Sequence, residues 1–176
     1  MKKIFVIFAK YNQEANEKLI SILGKMENAE RVKNRKSYYK SLAGLASHIA
    51  GGTYYVLGLI AQAVSGNAEA QKALAPLKKI EIPQGKIDEE AWKKIVTAMK
   101  TADKAYAGFA EALKDEDFSA PVKLDWYGGK PAEVPLYFML QSLETHNTHH
   151  RGQISQILDS LKIDNDYSGI NAKFLK

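Results

Sequence analysis

The sequence contains no cysteine. That excludes disulfides, cysteine nucleophiles and thiolate metal sites, and it fits a reducing compartment. Histidine is scarce as well, at four residues in 176. No stretch approaches the roughly 20 consecutive apolar residues of a membrane span. The apolar run from Ile4 to Ala9 is shorter than the roughly 7–15 residues of a signal-peptide core, and polar residues follow it at once. The chain therefore reads as a soluble, cytoplasmic protein with no membrane partner. It has no internal repeat and no low-complexity tract, and its 176 residues are expected to form one domain, 1–176.

What is present is ordinary for a globular chain: 45% hydrophobic and 26% charged residues. The net charge of +5 raises the question of a polyanionic partner. Most basic residues are interspersed with acidic ones. The densest basic stretch, "RVKNRKSYYK", carries Arg31, Lys33, Arg35, Lys36 and Lys40. No nucleic-acid reading module accompanies it, so it reads as a solvated connection between helices and no nucleic-acid partner is expected.

Four long helical patterns organise the chain. The first runs from about Ile4 to Met26, with the stripe Tyr11, Ala15, Leu19, Ile22 and Met26. The second runs from about Ser37 to Val64 on Leu42, Leu45, Ile49, Gly52, Val56, Leu59 and Ala63. Its Gly51–Gly52 pair costs roughly 1 kcal/mol per glycine relative to alanine, a cost that close approach of a helix or ligand would offset. A connection over residues 65–87 is long enough to cross the outside of a bundle. Asp88 is the expected N-cap of the third helix, whose stripe is Trp92, Ile95, Met99, Ala102, Tyr106, Phe109 and Leu113. In "SAPVKLDWYGGKP" apolar and polar residues alternate before a glycine turn, which predicts a short extended arm or hairpin. Pro135 fits the first turn of a fourth helix reaching about Leu161. The predicted fold is all-α: a four-helix bundle with a long crossover between helices two and three and an extended arm before helix four.

Three of the four histidines fall in "LETHNTHHRGQ". The fourth helix carries an apolar stripe through Leu136, Met139 or Leu140, and Leu143, resuming at Ile154, Ile157 and Leu161. Continued through the gap, the same rhythm lands on His146 or Asn147 and on His150. Residues four apart share a helix face, so His146 and His150 are expected to project inward together. His149 lies about 100° further round, among polar neighbours, at a pocket rim or in solvent. His48 sits at the edge of the second helix's stripe, where it could supply a third metal ligand; hydrogen-bonded core histidines are the alternative. The glutamate of the zinc-protease HExxH pattern is missing, and Glu144 falls on another face as a poor candidate base. Arg151 suits either a substrate carboxylate or an ion pair within the bundle. Gly152 suggests close packing between helices. Tyr55 and Trp126, with His149 and Arg151, are the candidate substrate-pocket residues.

"HNTHHRGQI" resembles the H-x-x-x-H-R-G-Q pattern of the DinB-like (DinB/YfiT) family of metal-binding four-helix bundles. "YNQEANEKLISIL" is similar to that family's first-helix opening, and "SYYKSLAGLASHIAGG" places a histidine on the second helix as the family does. The resemblance covers nearly the whole chain. It implies a divalent metal, nickel or zinc, on His48, His146 and His150, and a homodimer. Three neutral imidazoles leave the ion its full charge, enough to deprotonate a bound thiol or to bring the pKa of bound water toward ~7. The expected activity is transfer of a low-molecular-weight thiol to an electrophile. Hydrolysis by metal-bound hydroxide and a structural or sensory metal site are the alternatives.

Overall fold

The computed structural model describes residues 1–125, 129–167, 169–170 and 172–175. All four segments with a long apolar periodicity are helical: α1 (Lys2–Gly24), α3 (Leu42–Ala63), α5 (Glu89–Ala112) and α6 (Leu136–Ser160). Local chemistry sets where they start. Asp88 accepts a hydrogen bond from the Ala91 N–H at 2.9 Å and caps α5 as expected. The α3 helix begins later than its periodicity suggests. Lys36 and Lys40 have φ values of 57° and 64°, outside helical space, and the Ser41 hydroxyl then caps α3 by accepting from the Gly44 N–H at 3.0 Å. A single-turn α2 (Asn28–Arg31) stands between α1 and α3.

The crossover from α3 to α5 carries structure of its own: a short α4 (Ala68–Leu74) and a 3-10 turn, Ala75–Lys79. Asn67 caps α4, and its amide also donates to Ala112 O and Asp117 Oδ2, tying the crossover to the end of α5. The predicted arm is a hairpin, β1 (Pro121–Leu124) antiparallel to β2 (Ala132–Pro135), with Val122 opposite Val134. Val122 and Leu124 alternate inward and are buried.

Helix α1 packs on α5 and α6, and so does α3, which closes a four-membered ring of helices. The core falls into two clusters, one around Phe5, Leu57, Tyr106 and Phe109, the other around Leu19, Ile49, Ile95 and Ile154. The α5 stripe is buried throughout. Two stripes differ from expectation. On α1 the buried face runs through Asn12 and Asn16, whereas Ile22 and Met26 are only partly covered. On α3 the face beyond the glycine pair shifts by one residue to Thr53, Leu57 and Ile60. A layer of buried polar side chains lies between the two apolar clusters, and Asn12, Asn16 and Thr53 belong to it.

The basic stretch is solvated as expected at Lys33, Lys36 and Lys40, but not at its two arginines. Arg31 is buried, pairs with Glu89 at 2.6 Å and lies 5.0 Å over the Trp92 ring. Its guanidinium bonds the Leu23 and Met26 carbonyls at the end of α1. Arg35 is held by Glu30. Among the described residues, no helix is long and apolar enough to cross a membrane.

Candidate metal centre

Helix α6 sets His146 and His150 one turn apart on one face, with ring centroids 4.5 Å apart. Helix α3 packs along α6 and brings His48 to 4.7 Å from the first ring and 4.5 Å from the second. One ring nitrogen from each of the three lies within 4.8 Å of the others. His48 Nε2 and His146 Nε2 are 2.8 Å apart. Two ligands ~2.0–2.1 Å from a tetrahedral zinc ion stand about 3.3 Å apart. The pair would open by about half an ångström around such a cation, a small adjustment, and the all-imidazole donor set suits a first-row transition-metal ion.

Gly52 makes this convergence possible. A Cβ on Gly52 would stand 2.6 Å from His146 Cε1, whereas one on Gly51 would meet nothing within 4 Å. The close approach expected at the glycine pair is therefore the His146 ring. Gly152, expected at a tight helix contact, is exposed and has open space around it.

The surroundings favour neutral, oriented imidazoles. His146 Nδ1 is 3.1 Å from Asn147 Oδ1, and His150 Nδ1 is 2.8 Å from Gln153 Oε1. An outer partner on the far ring nitrogen fixes a ligand's orientation. The Tyr39 ring stacks on His48 at 3.9 Å and stands edge-on to His150 at 5.2 Å. Burial, with His146 and His150 alongside, pushes the His48 pKa down to about 4. Burial also lowers that of His150, against the opposing Gln153 hydrogen bond. Imidazoles that resist protonation are ready to bind a cation.

Behind the histidines lies the buried polar layer. Asn147 donates to Asn12 Oδ1 and to Thr53 Oγ1, both at 3.1 Å. Asn12 and Asn16 donate to the Asp103 carboxylate at 2.8 and 3.0 Å. Arg151 donates to Asn12 Oδ1 at 2.6 Å and Asn16 Oδ1 at 3.2 Å, and to Thr148 at 3.2 Å. It is 2% exposed, so it serves the bundle and is linked to Asp103 through the two amides. Burial raises the Asp103 pKa to about 8, opposed by the Asn16 amide and the Arg151 charge. Sequence reasoning missed Asn12, Asn16, Asp103 and Gln153. The available signal was the pair of asparagines four apart, which interrupts the apolar face of α1.

Glu144 is also buried, and burial lifts its pKa to about 7. Its Oε1 and the Tyr106 hydroxyl influence one another's titration, yet neither has a hydrogen-bond partner of good geometry among the described residues. No carboxylate joins the histidine cluster among those residues.

The other candidate pocket residues do not share one surface. His149 is exposed, with its ring 4.9 Å from that of His150, and it lines an apolar groove of about 1000 Å³ with Ile4, Phe8 and Tyr137. Tyr55 is half exposed and lines a different groove, with Gly58 and Leu74. Trp126 lies outside the described residues.

The sequence model of a family described as the DinB family matches residues 1–161. No curated protein and no solved structure matches the chain.

Proposed function

The chain belongs to the DinB family, and we propose on that premise that His48, His146 and His150 bind one divalent ion, nickel or zinc, in a transferase that joins a small-molecule thiol to an electrophile. The observation that carries the reading is the convergence of three imidazoles from two helices within 4.8 Å. Three protein ligands are the usual complement of a catalytic zinc site that keeps a fourth position open. When bound, the ion supplies the charge that turns a thiol into a thiolate nucleophile.

The remaining groups orient and insulate. Asn147 and Gln153 hold the two α6 rings by their outer nitrogens. Tyr39 covers the His48 ring face. Exposed His149, beside His150, is placed to take up the thiol proton. Thiol transfer is favoured over hydrolysis because hydrolysis of an amide or ester calls for a positioned acid–base group. The nearby carboxylates do not offer one: the Asp103 oxygens accept from Asn12 and Asn16, and no carboxylate joins the histidine cluster among the described residues.

The test is metal analysis of the purified protein, followed by absorption spectroscopy of a cobalt-loaded sample titrated with low-molecular-weight thiols. The expected result is close to one ion per chain and a new sulfur-to-cobalt charge-transfer band. A stoichiometric ion whose spectrum ignores thiols would leave a structural site and overturn the transferase reading. No retained ion would overturn the metal site itself.

A further inference from the structure

The buried layer imposes a direction on its hydrogen bonds, and that direction ends at a histidine. A guanidinium can only donate. Arg151 Nη1 therefore requires oxygen at Asn12 Oδ1 and at Asn16 Oδ1. With its oxygen committed there, Asn12 must turn its NH₂ group to Asp103, as observed at 2.8 Å. The same Asn12 oxygen also receives Asn147 Nδ2. A second acceptor pins that nitrogen: Thr53 Oγ1 spends its own proton on Ile49 O at 2.9 Å and so can only accept from Asn147. The Asn147 amide is thus unable to flip, and its oxygen is left facing His146 Nδ1 at 3.1 Å. Nδ1 must carry the proton.

We infer that Arg151 and Asn147 are positioning residues which, through Asn12, lock His146 in the Nδ1–H tautomer and so present its Nε2 lone pair to the metal. The lock is a property of the chain whether or not an ion is bound; its consequence for affinity rests on the metal-binding reading above. Arg151 acts across the bundle without touching a ligand, and the inference gives a buried, charged residue next to His150 a role distinct from packing.

Nitrogen NMR on the ¹⁵N-histidine-labelled full chain, treated with chelator, reads the tautomer directly. The expected result is a protonated Nδ1 and an unprotonated Nε2 on His146. Asn147→Leu removes the acceptor and is expected to mix the tautomers and weaken zinc binding by about ten- to a hundredfold. Asn147→Asp keeps an acceptor opposite Nδ1 and is expected to retain the Nδ1–H tautomer that Asn147→Leu loses, although it gives up the donor to Asn12 and Thr53. Arg151→Gln, which can donate or accept, is expected to loosen the lock although it is not a ligand. A His146 ring protonated at Nε2 in the wild type would overturn the inference. So would Asn147→Leu with tautomer and affinity unchanged. Should Arg151→Gln fail to fold, the two Asn147 variants decide. Wild-type protein that binds no zinc removes the metal reading alone, because the nitrogen shifts report the lock without it.

Discussion

His48 Nε2 and His146 Nε2 face each other at 2.8 Å. Two lone pairs cannot share that distance; a proton or a cation must lie between them. Because Asn147 directs the His146 proton to Nδ1, the proton between the rings belongs to His48 Nε2 in chelated protein. Zinc binding must then move it to His48 Nδ1, with no net proton released by that ring. Nitrogen NMR before and after zinc addition is expected to show His48 changing tautomer while His146 does not. A His48 ring protonated at Nδ1 in both states would contradict the assignment.

Metal binding should also be visible as stability. An ion that binds only the folded chain stabilises it by about 2.7 kcal/mol when free ion is a hundredfold above Kd. Thermal unfolding with zinc at that excess, compared with chelator, is expected to give a clear rise in Tm for the wild type and almost none for His48→Ala or His150→Ala. Equal rises in all three would mean that other residues hold the ion.

Much of the bundle was legible in the sequence because apolar periodicity is a local property. The α5 stripe from Trp92 to Leu113 is buried as expected, and the i,i+4 relation of His146 and His150 follows from helix geometry alone. The polar layer was not legible. Whether Asn12 lies in solvent or in the core depends on Asp103 and Arg151, which are 91 and 139 residues away. Asparagine has no apolar signature by which periodicity could place it. Arg31 failed for a similar reason: a basic residue among basic residues reads as solvated unless its partners, Glu89 and Trp92, are known. Gly52 was readable as a site of close approach, but the approaching group required the α3–α6 packing.

Asp103 makes stability depend on pH in a predictable direction. Its folded pKa of about 8 lies above the ordinary 3.8. The folded chain therefore keeps a proton that the unfolded chain releases from about pH 4 upward. The stabilising contribution is complete below that pH and is lost as pH rises through about 8. His48, shifted down to about 4, acts in the opposite sense, but only below about pH 6.5. Between pH 6.5 and 8 the carboxyl effect should stand clear of it. The unfolding free energy from urea titration is expected to fall across this range, by at most about 1.4 kcal/mol per pH unit for one group, and the slope should be shallower in Asp103→Asn. Glu144, raised to about 7, keeps a residual slope in the variant. An unchanged slope would show that Asp103 is already ionised in the folded chain near neutral pH.

Gly51 and Gly52 provide a paired test of what the close approach is for. Both sit inside α3, where alanine is favoured over glycine by about 1 kcal/mol. At Gly51 a methyl group meets open space, so Gly51→Ala is expected to raise stability by about 0.5–1 kcal/mol and leave metal affinity unchanged. At Gly52 the same methyl group would stand 2.6 Å from His146 Cε1. Ordinary contact needs a further ~0.8 Å or more, and ligand sets tolerate only about 0.5 Å of displacement. The ring is tethered by Asn147 and faces His48, so it has little freedom to yield. Gly52→Ala is therefore expected to weaken zinc binding by about tenfold or more, while the helical preference for alanine offsets part of the clash in chelated protein. Calorimetric zinc titration of the two variants separates these effects. Equal affinities would mean that His146 can move aside and still bind, and that the glycine serves backbone geometry rather than the metal centre.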